Sequence, residues 1–256
     1  MRDLNVSLLQ CPLQWEAPAA NRAYIEAKIE QLSAETDLLI LPEMFTTGFS
    51  MRSKENAETS KGDTLPWLQK LAQRYDLAIT GSLAIASGGQ VFNRLLFVTP
   101  DGNVQHYDKK HLFRMSGEHL HYAAGDSRLV VQWRDWRICP MICYDLRFPV
   151  WSRNTGDYDL LLYVANWPAK RCYHWRQLLI ARAIENQAYC IGVNRTGSDG
   201  NAIVYSGDSL ILAADGEVLV DCADAEGLFN SRLSAAAMQR YRSKFPCHED
   251  ADDFFL

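Results

Sequence analysis

No apolar run in this sequence is long enough to cross a bilayer. The longest, such as Leu-Leu-Leu-Tyr-Val-Ala at 160–165, falls far short of the ~20 residues a spanning helix needs. Basic runs are equally scarce: none exceeds the pair Lys109–Lys110, and the net charge is −5. The electrostatic footprint of a nucleic-acid or anionic-membrane binder is therefore missing, and neither partner is expected. The opening segment MRDLNVSLLQCPLQW has no charged-then-apolar leader and no small-residue cleavage site, so no signal peptide is expected. Seven cysteines, an odd number scattered along the chain, do not make a disulfide framework and suit a reduced, cytoplasmic location. Without a secretory route the sequons at Asn5 and Asn194 carry no meaning. There is no linker or low-complexity stretch, no Gly-x-Ser-x-Gly elbow, and no Gly-x-Gly-x-x-Gly or Walker loop. Serine-elbow hydrolysis and nucleotide binding have no support. A phosphatase cradle would want its arginine further from Cys143 than Arg147.

What is present is a globular composition, 48% apolar, enough for a substantial core. Short apolar runs alternate with helical segments. Strands are expected at 4–9, 37–43, 77–85, 137–145, 159–166 and 189–197, and helices at 19–35, 64–75 and 174–189. The first helix places Tyr24, Ile25, Ile29 and Leu32 on one face. Hairpins are expected at 94–110 around Pro100-Asp101-Gly102 and at 209–219 around Asp215-Gly216. Strand–helix units interrupted by hairpins imply an α/β chain with two stacked mixed sheets and helices outside, built as one domain over 1–256.

Three positions could carry chemistry. Cys143 closes the buried run Arg-Ile-Cys-Pro-Met-Ile-Cys and opens into a polar turn, where α/β proteins place reactive groups. Alone, such a cysteine is more often inert packing. Glu43 is delivered to a strand end by Leu-Leu-Ile-Leu-Pro. A carboxylate held among apolar strand ends binds protons more readily than one in water, which suits a general base. The Lys109–Lys110 pair follows a hairpin strand, and one ammonium directed inward would meet a developing oxyanion. His111, Glu118, His119 and His121 make a weak alternative metal set, since neither His-Glu-x-x-His nor Cys-x-x-Cys is present.

Taken in order, LLILPE, YDKKHLF and ICYDLRFP resemble the motifs of the nitrilase superfamily of carbon–nitrogen hydrolases, with further likeness in HWRQLLIARAIENQAY and SGDSLIL. The resemblance implies a four-layer αββα sandwich, usually dimerised through its helices, and amide hydrolysis without metal or organic cofactor. It matches Glu43 to the general base and Cys143 to the nucleophile. Lys109, two residues before His-Leu-Phe, matches the catalytic lysine, and Glu118, seven before Gly125, the second glutamate. The run Cys139-Pro140-Met141 departs from the glycines frequent in the family's strand, and a proline there implies local irregularity.

Within the superfamily, CYDLRFP resembles the omega-amidase branch, which deamidates monoamides such as 2-oxoglutaramate and 2-oxosuccinamate. Arg147, four residues beyond Cys143, then either faces the substrate's distal carboxylate or braces the turn through Asp145. Phe45, Tyr144, Trp167 and Arg195 are further pocket candidates. Alternatives are another amidase, nitrilase or N-carbamoyl hydrolase, or a non-catalytic binding protein on the same fold. The tail from about 240, ending CHEDADDFFL, either packs on a partner subunit or frays.

Overall fold

A computed structural model describes residues 1–59 and 61–252. Two six-stranded sheets lie face to face with helices on their outer surfaces, the four-layer αββα order. In the first sheet, Leu4–Gln10 pairs antiparallel with Gly227–Leu233 and parallel with Leu38–Ile40. Ala78–Ser87, Gln90–Val98 and Val104–Asp108 complete it. In the second, Trp136–Ile142, Leu160–Ala165 and Tyr189–Asn194 run parallel. Val131–Trp133, Leu210–Leu212 and Val218–Asp221 flank them.

Side-chain alternation along each strand builds the layers. In the first sheet, Leu4, Val6, Leu8, Leu38, Ile40, Leu95 and Phe97 join the cluster shared with the second sheet. Their neighbours Leu9, Leu39, Leu41, Ile79, Leu96 and Val98 pack instead on Ile25 and Ile29 of helix Pro18–Ile29 and on Leu68 and Leu71 of helix Thr64–Tyr75. Helix Cys172–Asn186 covers the second sheet through Trp175, Leu179 and Ala183. A Cβ on Gly192 would meet Leu179 and Trp175, so that glycine sets how closely helix and sheet approach. Each fully buried Leu or Ile contributes roughly 1.5–3 kcal/mol.

Several boundaries differ from the sequence expectation. The second strand is only Leu38–Ile40, because Pro42 has no N–H to extend the ladder. The first helix stops at Ile29, and Leu32 packs from the following turn. The strand expected over 189–197 ends at Asn194, and Thr196–Ser198 turns away to pair with Val204–Ser206. The expected irregularity at Pro140 is absent: register is constant from Ile138↔Leu160 to Ile142↔Val164. The opposite neighbour, Val131–Trp133, reaches only to Ile138, leaving proline at an edge that tolerates it. Strand Gly227–Leu233 and helix Ala235–Lys244, capped where Ser234 Oγ accepts from Ala237 N at 3.3 Å, carry too little apolar periodicity to announce themselves. Of the tail, Cys247–Asp250 forms one 3-10 turn. Residues 253–256 lie outside the described part.

Candidate active site

Both sheets deliver polar residues to the same end of the sandwich. Glu43 follows Leu38–Ile40, Lys109 follows Val104–Asp108, Cys143 follows Trp136–Ile142, and Asn166 follows Leu160–Ala165. Cys143 adopts φ +44° and starts the 3-10 turn Cys143–Arg147. A left-handed conformation is unfavourable for a residue with a Cβ, by roughly 1–3 kcal/mol, and persists only when neighbours enforce it. The enforcing group is Asp145, fully buried, which accepts from Ile142 N (3.0 Å), Tyr107 Oη (2.7 Å) and the backbone N of His111 (3.0 Å). Its carboxylate thus ties the cysteine turn to the segment flanking Lys109.

Glu43, Lys109 and Glu118 are all fully buried. Lys109 Nζ donates to Glu43 Oε1 at 2.9 Å and to Glu118 Oε1 and Oε2 at 3.0 and 3.1 Å. Glu43 Oε1 also accepts from Asn93 Nδ2 at 2.7 Å, and Oε2 from the backbone N of Asn166 at 2.8 Å. Glu118 Oε2 accepts from Phe113 N at 2.5 Å. Burial works against the lysine charge, but the Glu118 and Glu43 carboxylates outweigh it and hold the Lys109 pKa above the usual value. Burial raises Glu118, with Lys109 opposing and Glu43 reinforcing. Burial and then the Glu43 carboxylate drive the Cys143 thiol well above the ordinary cysteine range, against the pull of Lys109. A buried cation is thus clamped between two carboxylates beside a protonated thiol.

A cavity of about 510 Å³ opens above Cys143 and Lys109. Tyr144, Arg147 and Trp167 line it, together with Phe49, Phe113, Asn166 and the Asn201–Tyr205 segment of the two-stranded ribbon. Arg147, Lys170 and Arg171 bring positive charge to the wall, and no described wall residue is a carboxylate. Two expected pocket residues lie elsewhere. Phe45 is core, packed on Trp67 and against Gly81, because it sits on the helix-facing side of its sheet. Arg195 is buried behind the ribbon, donating to the carbonyls of Thr196, Leu13 and Ser198, with the Tyr205 ring at 4.7 Å. Nor does Arg147 brace Asp145, whose oxygens other donors occupy. Lys110 turns onto the Trp151 ring, leaving Lys109 as the inward lysine. His111 stacks on Phe148 and reaches Asp145. Among the described residues no three His, Cys, Asp or Glu are grouped to hold a metal.

Sequence reasoning missed Asn93, Asn166 and Phe49. The asparagine closing Leu-Leu-Leu-Tyr-Val-Ala-Asn was a visible signal, a polar residue carried to a strand end as Glu43 is. Asn93, which joins Ser82, Glu43 and Glu118, sits inside a strand and gave none.

The carbon–nitrogen hydrolase family model matches residues 5–243. The chain belongs to the carbon–nitrogen hydrolase family. It is similar to omega-amidase YafV of Escherichia coli, 50% identical over 258 residues that cover all of both chains. It is also similar to 2-oxoglutaramate amidase of Bacillus subtilis, 33% identical with 96% of each covered. A crystal structure of a carbon–nitrogen hydrolase superfamily protein from Xanthomonas campestris, with an arsenic adduct in its active site, superposes with a TM-score of 0.98. It is 48% identical and covers all of both chains. The activity of this carbon–nitrogen hydrolase is accordingly that of an amidohydrolase.

Proposed function

We propose that the protein is an omega-amidase that hydrolyses the terminal amide of short dicarboxylic monoamides such as 2-oxoglutaramate. The observation that carries this reading is the Glu43–Lys109–Glu118 clamp beneath a pocket holding Cys143 and, among its charged walls, only cations. The family and the amidase relatives support it.

In this reading the thiol is protonated at rest, so attack and proton transfer go together. Cys143 Sγ bonds to the amide carbon while its proton passes to Glu43, and the carbonyl becomes an oxyanion. Lys109 Nζ and the backbone N–H of Tyr144 meet that charge, each donor contributing roughly a hundred- to thousandfold in rate. Glu118 keeps Lys109 charged and in place. Collapse breaks the C–N bond, the nitrogen takes the proton from Glu43, and ammonia leaves. Glu43 then deprotonates a water that attacks the thioester, and the departing sulfur recovers the proton. Arg147 receives the distal carboxylate with a guanidinium fork, against the Trp167 face.

Cytoplasmic residence and a homodimer belong to the same proposal. Val150, Tyr173 and Ile184, large apolar residues left exposed on the helical side of the second sheet, support the dimer. Ammonia release from 2-oxoglutaramate by the wild type, and none by Cys143→Ala, is the expected outcome. Wild-type protein that spares this compound but consumes a nitrile or an N-carbamoyl amino acid would overturn the substrate.

A further inference from the structure

Arg147 enters the pocket from the cysteine turn, yet it is held by a residue of another element. His174, in the first turn of helix Cys172–Asn186, places its Nδ1 3.1 Å from Arg147 Nη2. The guanidinium carbon lies 4.8 Å from the centre of the Trp167 ring. Trp167 is itself locked: its backbone N–H donates to Asn194 Oδ1 at 2.8 Å and its ring Nε1 to Arg171 O at 2.9 Å. A guanidinium has donors and no acceptor, so the shared proton is the arginine's. His174 Nδ1 must offer a lone pair, and the ring proton must sit on Nε2. Among the described residues no carboxylate pairs with Arg147 and no other hydrogen bond holds it.

We infer that His174 is a positioning residue for substrate recognition: its Nδ1 lone pair holds the Arg147 guanidinium against Trp167 and sets the fork for a substrate carboxylate. The inference rests on the amidase reading for its ligand, though the geometry stands apart from it. A free arginine side chain samples many rotamers, and ordering it in advance removes that entropy from the binding step. The long helix thus reaches into specificity through one imidazole, while the reacting groups stand on strand ends.

The test is a double-mutant cycle on 2-oxoglutaramate hydrolysis at about pH 8. His174→Ala is expected to raise KM roughly three- to tenfold with kcat unchanged. His174→Asn, whose amide oxygen can take the place of Nδ1, is expected to restore most of it. In an Arg147→Ala background, His174→Ala should add nothing. An unchanged KM in the single variant, or the same rise in the Arg147→Ala background, overturns the inference. Nitrogen-15 shifts of the His174 ring in the substrate-free protein test the geometry independently of activity. An Nε2–H tautomer whose Nδ1 resonance moves in Arg147→Ala, as the accepted hydrogen bond is lost, supports it, and an Nδ1–H tautomer or an Nδ1 resonance that does not move overturns it. If wild-type protein spares 2-oxoglutaramate while the Nδ1 resonance responds to Arg147→Ala, the substrate reading has failed and the pairing has not.

Discussion

Replacing Glu43 with glutamine keeps the side-chain shape and removes the charge, and the structure dictates two opposite consequences. The first concerns turnover. In the proposed mechanism Glu43 takes the thiol proton, and loss of a general base lowers rate by roughly 10²–10⁴, about 3–5.5 kcal/mol in barrier. The second concerns the thiol. The Glu43 charge raises the Cys143 pKa and Lys109 lowers it, so deleting the carboxylate leaves the lysine pull less opposed. Cys143 should ionise at lower pH in the variant that cannot turn over. There is also a folding penalty. The oxygen that meets Lys109 Nζ and Asn93 Nδ2 survives as the amide oxygen, but the amide nitrogen then faces the Asn166 N–H that Oε2 accepted. A buried N–H left without an acceptor costs about 1–3 kcal/mol. Three assays read this: ammonia release, the pH profile of iodoacetamide labelling at the Cys143 peptide by mass spectrometry, and the urea midpoint. Activity within tenfold of wild type, or a labelling profile moved to higher pH, would refute the reasoning.

Stability should fall in alkali. Burial pushes Cys11 and Cys139 up to about 12 and Cys190 higher still, whereas unfolded thiols titrate near ~8.5. The contribution of these groups is complete below the unfolded value. It is lost as pH rises toward the folded ones, at roughly 1.4 kcal/mol per thiol per pH unit. Urea midpoints that agree at about pH 7.5 and pH 10.5 would show that burial does not govern these thiols. At Gly125, whose N–H donates to Lys109 O at 3.0 Å, an added Cβ would collide with the Asp108 carbonyl oxygen, a backbone atom that cannot swing aside. Gly125→Ala should therefore displace the Lys109 backbone, lowering kcat at least tenfold along with the melting temperature. Normal kcat with a lowered melting temperature would mean that the lysine is held by its carboxylates alone.

The helices that share a face with the core were legible because burial imposes a period that single residues reveal. Ile25 and Ile29 are assigned to one face of their helix by spacing alone. So was the delivery of Glu43, Lys109 and Cys143 to strand ends, since a polar residue closing an apolar run has few other places to go. Motif order made the family legible as well, and the choice of Lys109 over Lys110 came with it. The strand Gly227–Leu233 was hidden because its stability comes from pairing with Leu4–Gln10, a partner more than two hundred residues away, and not from its own pattern. Phe45 and Arg195 were misplaced for a related reason. A position in the sequence says nothing about face, and alternate residues of a strand end point to opposite sides.

The sequence by itself determined which residues are apolar, at what period, and which polar groups close each run, and those local properties specify strands, helices and the identity of the chemical groups. Only the tertiary structure decided that residues 43, 109, 118 and 143 share one desolvated volume, that Asn93 and Asn166 complete it, and that His174 reaches Arg147. Distances of 3 Å between groups from two different sheets depend on how the sheets pack, and packing is a property of the whole core rather than of any segment. The same burial that brings the groups together raises the Cys143 thiol and makes the Glu43–Lys109–Glu118 clamp strong. The chemistry therefore resides in the sandwich even though its reagents are written in the motifs.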